Sequence, residues 1–145
     1  MNVIEAIKDK NLFRPFLQDR NGDIFSWKNW LVALRVLYGL PIRSSASIEL
    51  IKKCTGRNPA LLPANGFDEA LFLCGRRSGK SKIVSLVAAY EGALSGKEKL
   101  LSKGETGLVA CIAPSKRQAT VERNYIRSIF DTNLLRQEIV KFVMR

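Results

Sequence analysis

Histidine is absent from the chain. Without an imidazole there is no Ser-His or Cys-His nucleophile pair and no histidine-ligated metal. Cysteine is scarce: Cys54, Cys74 and Cys111 stand too far apart for metal-ligand or redox spacing. Cys74 and Cys111 fall inside apolar, strand-like runs and read as small buried hydrophobes. No apolar run approaches the 18 or so residues of a membrane span. The opening MNVIEAIKDKNLF has no apolar core of a signal peptide. No membrane is expected, and the expected compartment is the cytoplasm. Acid is also in short supply, and no carboxylate cluster of a metal nuclease is present.

Base, by contrast, is plentiful. Lys and Arg number 24 against 13 Asp and Glu, a net charge of +11, which suits a polyanionic partner such as DNA or RNA. The cations run the length of the chain, from Lys8 and Lys10 through Lys52, Lys53 and Lys97 to Lys116, Arg117, Arg123 and Arg127. A solvated surface is the plainer reading of the same charge. With 145 residues and 46% hydrophobic content the chain has material for a real core, which excludes disorder and a fibrous repeat.

Leu71 to Tyr90, LFLCGRRSGKSKIVSLVAAY, carries the most chemistry. A short apolar run, Leu71–Cys74, leads into Gly75-Arg76-Arg77-Ser78-Gly79-Lys80-Ser81, and a helical pattern follows. Strand, glycine-bearing loop and helix in that order hold the phosphates of a nucleoside triphosphate. Gly79 lets the backbone curl its amides toward phosphate oxygens. Lys80 supplies a compact charge for the β- and γ-phosphates, and the Ser81 hydroxyl is a ligand for Mg²⁺. The spacing is irregular: where the motif has its first glycine stands Cys74, and glycine comes one residue later as Gly75. Arg76 and Arg77 add guanidinium charge that phosphoryl transfer can use. As solvated turn residues beside a chance Gly-Lys-Ser they would do nothing.

Around this motif the pattern predicts a short helix at Val3–Lys8 and a turn at Asn21-Gly22. A helix capped by Ser26 carries Trp27, Trp30, Leu31, Leu34, Leu37 and Tyr38 and stops at Gly39 and Pro41. Another, Ile48 to Cys54, ends at Gly56. After the loop come a helix to about Leu94, a charged connection, a second buried strand at Gly107–Ala113 and a helix capped by Ser115. A last helix starts at Asn133 with Leu135, Ile139, Phe142 and Val143. Alternating strands and helices imply an α/β fold, a P-loop NTPase with a RecA/ASCE-like parallel sheet and flanking helices. The expected layout is an N-terminal helical segment over 1–66 and the first part of a P-loop ATPase domain over 67–145. Two strands are too few for that sheet, and the pattern runs on to Met144-Arg145, so a fragment truncated before the third core strand is expected. Hydrolysis also needs an acid at the end of a third strand to hold Mg²⁺. No strand-like run ending in acid follows Ala113, and Glu122, Asp131 and Glu138 lie on helical patterns.

Three stretches together resemble the N-terminal part of the ATPase domain of phage terminase large subunits. SWKNWLVALRVLYGLP looks like the helix upstream of that family's nucleotide site, CGRRSGKS like its arginine-containing loop, and GLVACIAPSKRQATVERNYIRSIF like its next strand and helix. Cys54–Arg57 fits as well, so the likeness covers roughly 23–130. The resemblance implies a motor ATPase that packages double-stranded DNA into proheads, with ATP and Mg²⁺ as cofactors. It implies portal protein and small terminase subunit as partners, and the host cytoplasm as the location. It makes Gly75, Arg76, Arg77, Ser78, Gly79, Lys80 and Ser81 the nucleotide-binding residues. Arg76 and Lys80 become catalytic, Arg76 acting on the γ-phosphate in cis, and Ser81 the Mg²⁺ ligand. The helix of Trp27 and Trp30 falls near the adenine, although tryptophans paired at that spacing are more often core than ligand contacts. Gln118 and Lys116 fit a phosphate sensor, a DNA contact or a solvated helix start.

Two other readings share the residues. One is a fragment of a superfamily 2 helicase-like translocase. The other is a non-catalytic, basic DNA-binding prophage remnant. This chain alone is expected not to turn ATP over, because the acid is missing.

Overall fold

The computed structural model describes residues 1–132 and 134–138. Among them every regular element is helical: α1 (Val3–Lys8), α2 (Arg14–Leu17), α3 (Lys28–Leu37), α4 (Ser45–Thr55), α5 (Lys80–Ala93) and α6 (Lys116–Phe130). Short 3₁₀ turns lie at Phe25–Trp27, Pro59–Leu61, Lys97–Leu100 and Arg136–Glu138. The chain forms two compact units, one of Met1–Leu17 with the residues from Gly75 onward, the other of Gln18–Cys74.

In the first unit, α1 starts on a reciprocal cap. The Asn2 side chain accepts the amides of Ile4 and Glu5 at 3.0 Å, and Glu5 accepts the Asn2 amide at 2.8 Å. Val3, Ile4, Ala6 and Ile7 are then buried with Phe13 and Leu17. From α5, Ile83, Leu86, Ala89 and Tyr90 enter the core at helical spacing, and Ile129 enters from α6. Each large side chain so buried stabilises by roughly 1.5–3 kcal/mol. The wholly buried Ser85 donates its hydroxyl to the Glu122 carbonyl at 3.2 Å, tying α5 to α6. Phe16 meets Tyr125 edge to face at 5.8 Å.

Tyr90 closes the other end of α5 by donating its hydroxyl to the Met1 carbonyl at 3.1 Å. Burial, then the charges of Glu91 and Glu5, push its phenol above the ordinary 10.0, and Lys97 pulls the other way. A raised folded-state pKa favours the neutral phenol. The stabilisation is therefore complete below pH 10.0 and is lost as pH rises through the folded value. Tyr90→Phe should remove that alkaline component from the pH dependence of urea unfolding; an identical slope above pH 10.0 in both proteins would contradict it.

In the second unit, α3 and α4 pack around Leu34 and Ile51. The C-terminus of α3 is closed by a double reverse bond: Gly39 N–H reaches Val36 O at 3.3 Å and Leu40 N–H reaches Arg35 O at 2.8 Å. Gly39 supplies the left-handed residue that motif needs, at φ 61°. The chain then returns over the same helix end, and Phe67 N–H satisfies the Leu37 carbonyl at 2.9 Å. At Gly39 an added Cβ would strike the backbone of Ala64 and Gly66, and at Gly66 that of Leu37.

The expected parallel sheet is not there. Among the described residues there is no strand, so the P-loop NTPase α/β fold is corrected to an all-helical arrangement. Leu71–Cys74 and Gly107–Ala113 carry no strand pairing, with Leu71 86%, Leu73 91%, Leu108 88% and Ile112 92% exposed. Phe72 turns toward Trp30 of α3, with ring centres 5.6 Å apart, while its neighbours face solvent. A strand's hydrogen bonds come from neighbouring strands, and two short runs cannot supply them. The helical expectations fare better. Val3–Lys8 is helical as read, Gly56 ends α4 at φ 67°, and Ser115 caps α6 by accepting Gln118 N–H at 3.3 Å. Ser26 is no cap, since it lies inside the 3₁₀ turn and Trp27 occupies the cap position. The helix expected from Asn133 falls largely on positions outside the described residues, Asn133 and 139–145. The preceding stretch Arg136–Glu138 is a 3₁₀ turn.

Candidate functional site

The loop before α5 is built by its backbone. Arg77 has φ 60°, the one non-glycine residue in the left-handed region among the described residues, and Gly79 follows at φ 81°. A left-handed arginine costs roughly 1–2 kcal/mol in backbone strain, and such strain is commonly retained where it shapes a binding loop. Left-handed residues placed two apart curl the chain tightly. Curled amides of that kind form concavities that accept anions. Gly79 is also the N-cap of α5 and offers no capping side chain. A helix of 14 residues thus opens onto the loop with its positive end, and no acid stands in its first turn.

The side chains sort by exposure. Gly75, Arg76, Arg77 and Lys80 are exposed, and Ser78, Gly79 and Ser81 are half-buried. Lys80 is the first residue of α5, and Ser81 is the second. Lys82, two residues on, is turned elsewhere: its ammonium lies 5.2 Å from the centre of the Phe16 ring and donates to the Phe16 carbonyl at 3.4 Å. Packing therefore separates two lysines that the sequence presents alike. One is held against α2, and the other is exposed beside the loop.

A triphosphate fits this arrangement in three respects: a curled glycine-bearing loop, a helix start without acid, and an exposed ammonium at the first helical residue. Lys80 would meet the outer phosphates, and Ser81 is the residue that would reach Mg²⁺. Among the described residues no three His, Cys, Asp or Glu side chains gather as a metal site. Phosphate oxygens and water would have to provide most of the ion's ligands, with Ser81 as the protein's contribution. Leu71–Cys74, expected to lead into the loop as a strand, carries no regular secondary structure and belongs to the Gln18–Cys74 unit.

One feature was not foreseen from the sequence. A cavity of about 650 Å³ opens beside α5, lined by Ala88, Gly92, Val109, Cys111, Ile126 and Phe130 among others. Its signal was present as small residues in the second half of α5, Ala88, Gly92 and Ala93. Cys111 is half-buried there. Burial, and secondarily the Glu122 charge, push its thiol up, away from the reactive thiolate. No described helix is long and apolar enough to cross a membrane.

No family model, curated protein or solved structure matches this chain, so the terminase resemblance rests on the quoted residues alone.

Proposed function

We propose that Gly75–Ser81 binds the phosphates of ATP with Mg²⁺, and that the chain is the ATP-binding N-terminal part of a terminase-type DNA-packaging motor. The observation that carries this reading is the left-handed Gly79 at the cap of α5, immediately before an exposed Lys80. Amides, helix dipole and ammonium then converge on one anion-sized position. In this role Lys80 neutralises charge on the outer phosphates and Ser81 places the metal ion. Arg76 approaches the γ-phosphate, with Arg77 shaping the turn. Double-stranded DNA is the polyanion that the net charge of +11 serves. Portal protein and small subunit follow from the resemblance only.

Binding and turnover separate in this proposal. The sequence after Ala113 offers no strand-like run ending in acid, so residues 1–145 are proposed to bind ATP without hydrolysing it. The test is a titration of the chain with a fluorescent ATP analogue and Mg²⁺. Lys80→Ala removes a charge-assisted contact of about 1.5–3 kcal/mol and should weaken binding roughly 10- to 100-fold. Because Lys80 is exposed, its unfolding midpoint should stay near that of the parent. Equal affinity of the two proteins rejects the loop as a nucleotide site. Magnesium-dependent phosphate release that disappears in Lys80→Ala would instead make the chain a complete ATPase.

The missing acid and the excess of base also favour a second reading, a basic DNA-binding protein without ATPase activity. Salt-dependent DNA binding with no nucleotide affinity would select it.

A further inference from the structure

We propose that the solvent-facing side of α6 is a contact surface for the phosphate backbone of duplex DNA. The inference shares with the nucleotide reading only its polyanionic partner and requires nothing of the Gly75–Ser81 loop.

Helical geometry places Lys116, Arg123 and Arg127 in one line. Steps of seven and four residues at about 100° each return to within roughly 20° of the same direction. Arg117 and Asn124 flank that line on one side, and all five residues are exposed. The opposite side of α6 is occupied by the protein itself. Ile129 is buried, Tyr125 meets Phe16, and the Glu122 carbonyl accepts the Ser85 hydroxyl. Glu122 is the only acid between Lys116 and Phe130, and it lies roughly 120° away from the cationic line. Asp131 follows only at the helix end.

The placement of two of these charges argues for a ligand. Lys116 and Arg117 occupy the first turn, where the helix dipole is positive and where helices ordinarily carry acid. Two cations there oppose the dipole and weaken the helix, so solvation alone gives no reason for them. A phosphate at that end reverses the balance, since cations and dipole then act on it together. The line from Lys116 to Arg127 spans about 16 Å. Over that length a duplex presents roughly nine or ten charges, twice the number of a single strand. The surface has cations but no exposed aromatic ring on which a base would stack, so it suits a backbone and reads no sequence.

The test is fluorescence anisotropy of the full chain with a short labelled duplex, without nucleotide, between about 50 and 200 mM salt. The triple variant Lys116→Ala, Arg117→Ala, Arg123→Ala should flatten the plot of log K against log salt by about 0.9 for each cation that meets a phosphate. A control variant, Lys10→Ala, Lys99→Ala, Lys103→Ala, removes the same formal charge from other exposed positions and should keep a near-parental slope. In the unaltered chain, bound duplex should also protect Lys116 from acetylation, which answers the question even if the triple variant fails to fold. Equal flattening in the control, an unchanged slope in the triple variant, no protection of Lys116, or preference for the single strand would each overturn the proposal. Loss of ATP binding with DNA binding retained would defeat the nucleotide reading and leave this one intact.

Discussion

Gly39→Val is expected to destabilise the Gln18–Cys74 unit by about 4 kcal/mol or more, the largest effect of any single substitution considered. Two penalties combine. Left-handed φ costs a β-branched residue roughly 1–3 kcal/mol. The new Cβ would also overlap the backbone of Ala64 and Gly66, which no rotamer change relieves. To make room, the chain must lift away from the end of α3. It would then lose the Phe67 N–H bond to the Leu37 carbonyl. Gly22 provides the comparison within the same unit: it has φ 77° but nothing within 4 Å of an added Cβ. Gly22→Ala should therefore cost only the conformational part, about 1 kcal/mol. Trp27 and Trp30, the only tryptophans in the chain, both lie in this unit, so tryptophan fluorescence during urea unfolding reports on it directly. Similar midpoints for the Gly39 and Gly22 variants would show that the α3 end is not closed as described.

Phe13→Ala should cost the other unit about 3–5 kcal/mol. Phe13 is fully buried, and its amide donates to the Ala6 carbonyl at 3.2 Å. The side chain is the largest of those that exclude solvent completely in the unit containing α1, α5 and α6. Truncation leaves a void in a unit whose helices are already held by the α1 cap and by the bonds from Ser85 and Tyr90. Against a typical domain stability of about 5–15 kcal/mol this is a large share. Amide exchange in α5, at Ile83 and Leu86, should accelerate strongly; unchanged protection there would remove Phe13 from the core. The exposed Lys80 behaves oppositely. Its truncation is expected to change binding and leave stability alone, so the two kinds of variant separate the scaffold from the loop it carries.

The helices and their ends were largely legible in the residues. Ser115 is a cap by chemistry, and Gly39 and Gly56 are stops, while the cap at Asn2 was not read from the sequence. Gly79 was read as the residue that lets the backbone curl before α5, and it stands left-handed at that helix start, although the strand expected before the loop is absent. Ser26 misled, since a good capping residue lost to a 3₁₀ turn one step ahead of α3. The separate fates of Lys80 and Lys82 were invisible, as both are lysines in the same helical turn. Only the ring and carbonyl of Phe16, 66 residues earlier, distinguish them.

The apolar runs 71–74 and 107–113 mark the boundary between what residues and what tertiary structure decide. Their unbroken apolar character is an intrinsic property of the sequence. Whether they become strands is not intrinsic. A helix closes its hydrogen bonds four residues away, inside the segment that encodes it, so local sequence sufficed for α1, α3, α4, α5 and α6, while the short α2 at Arg14–Leu17 was not read from it. A strand must find its partners in distant chain. Among the described residues none is found, and the sheet that the pattern anticipated does not form. By itself, then, the sequence determined most of the helices, the Ser115 cap, the glycine stops, the basic charge and the Gly-Lys-Ser loop. Tertiary structure alone decided the missing sheet, the division into two units and which lysine stands beside the loop, because each depends on contacts between residues far apart along the chain.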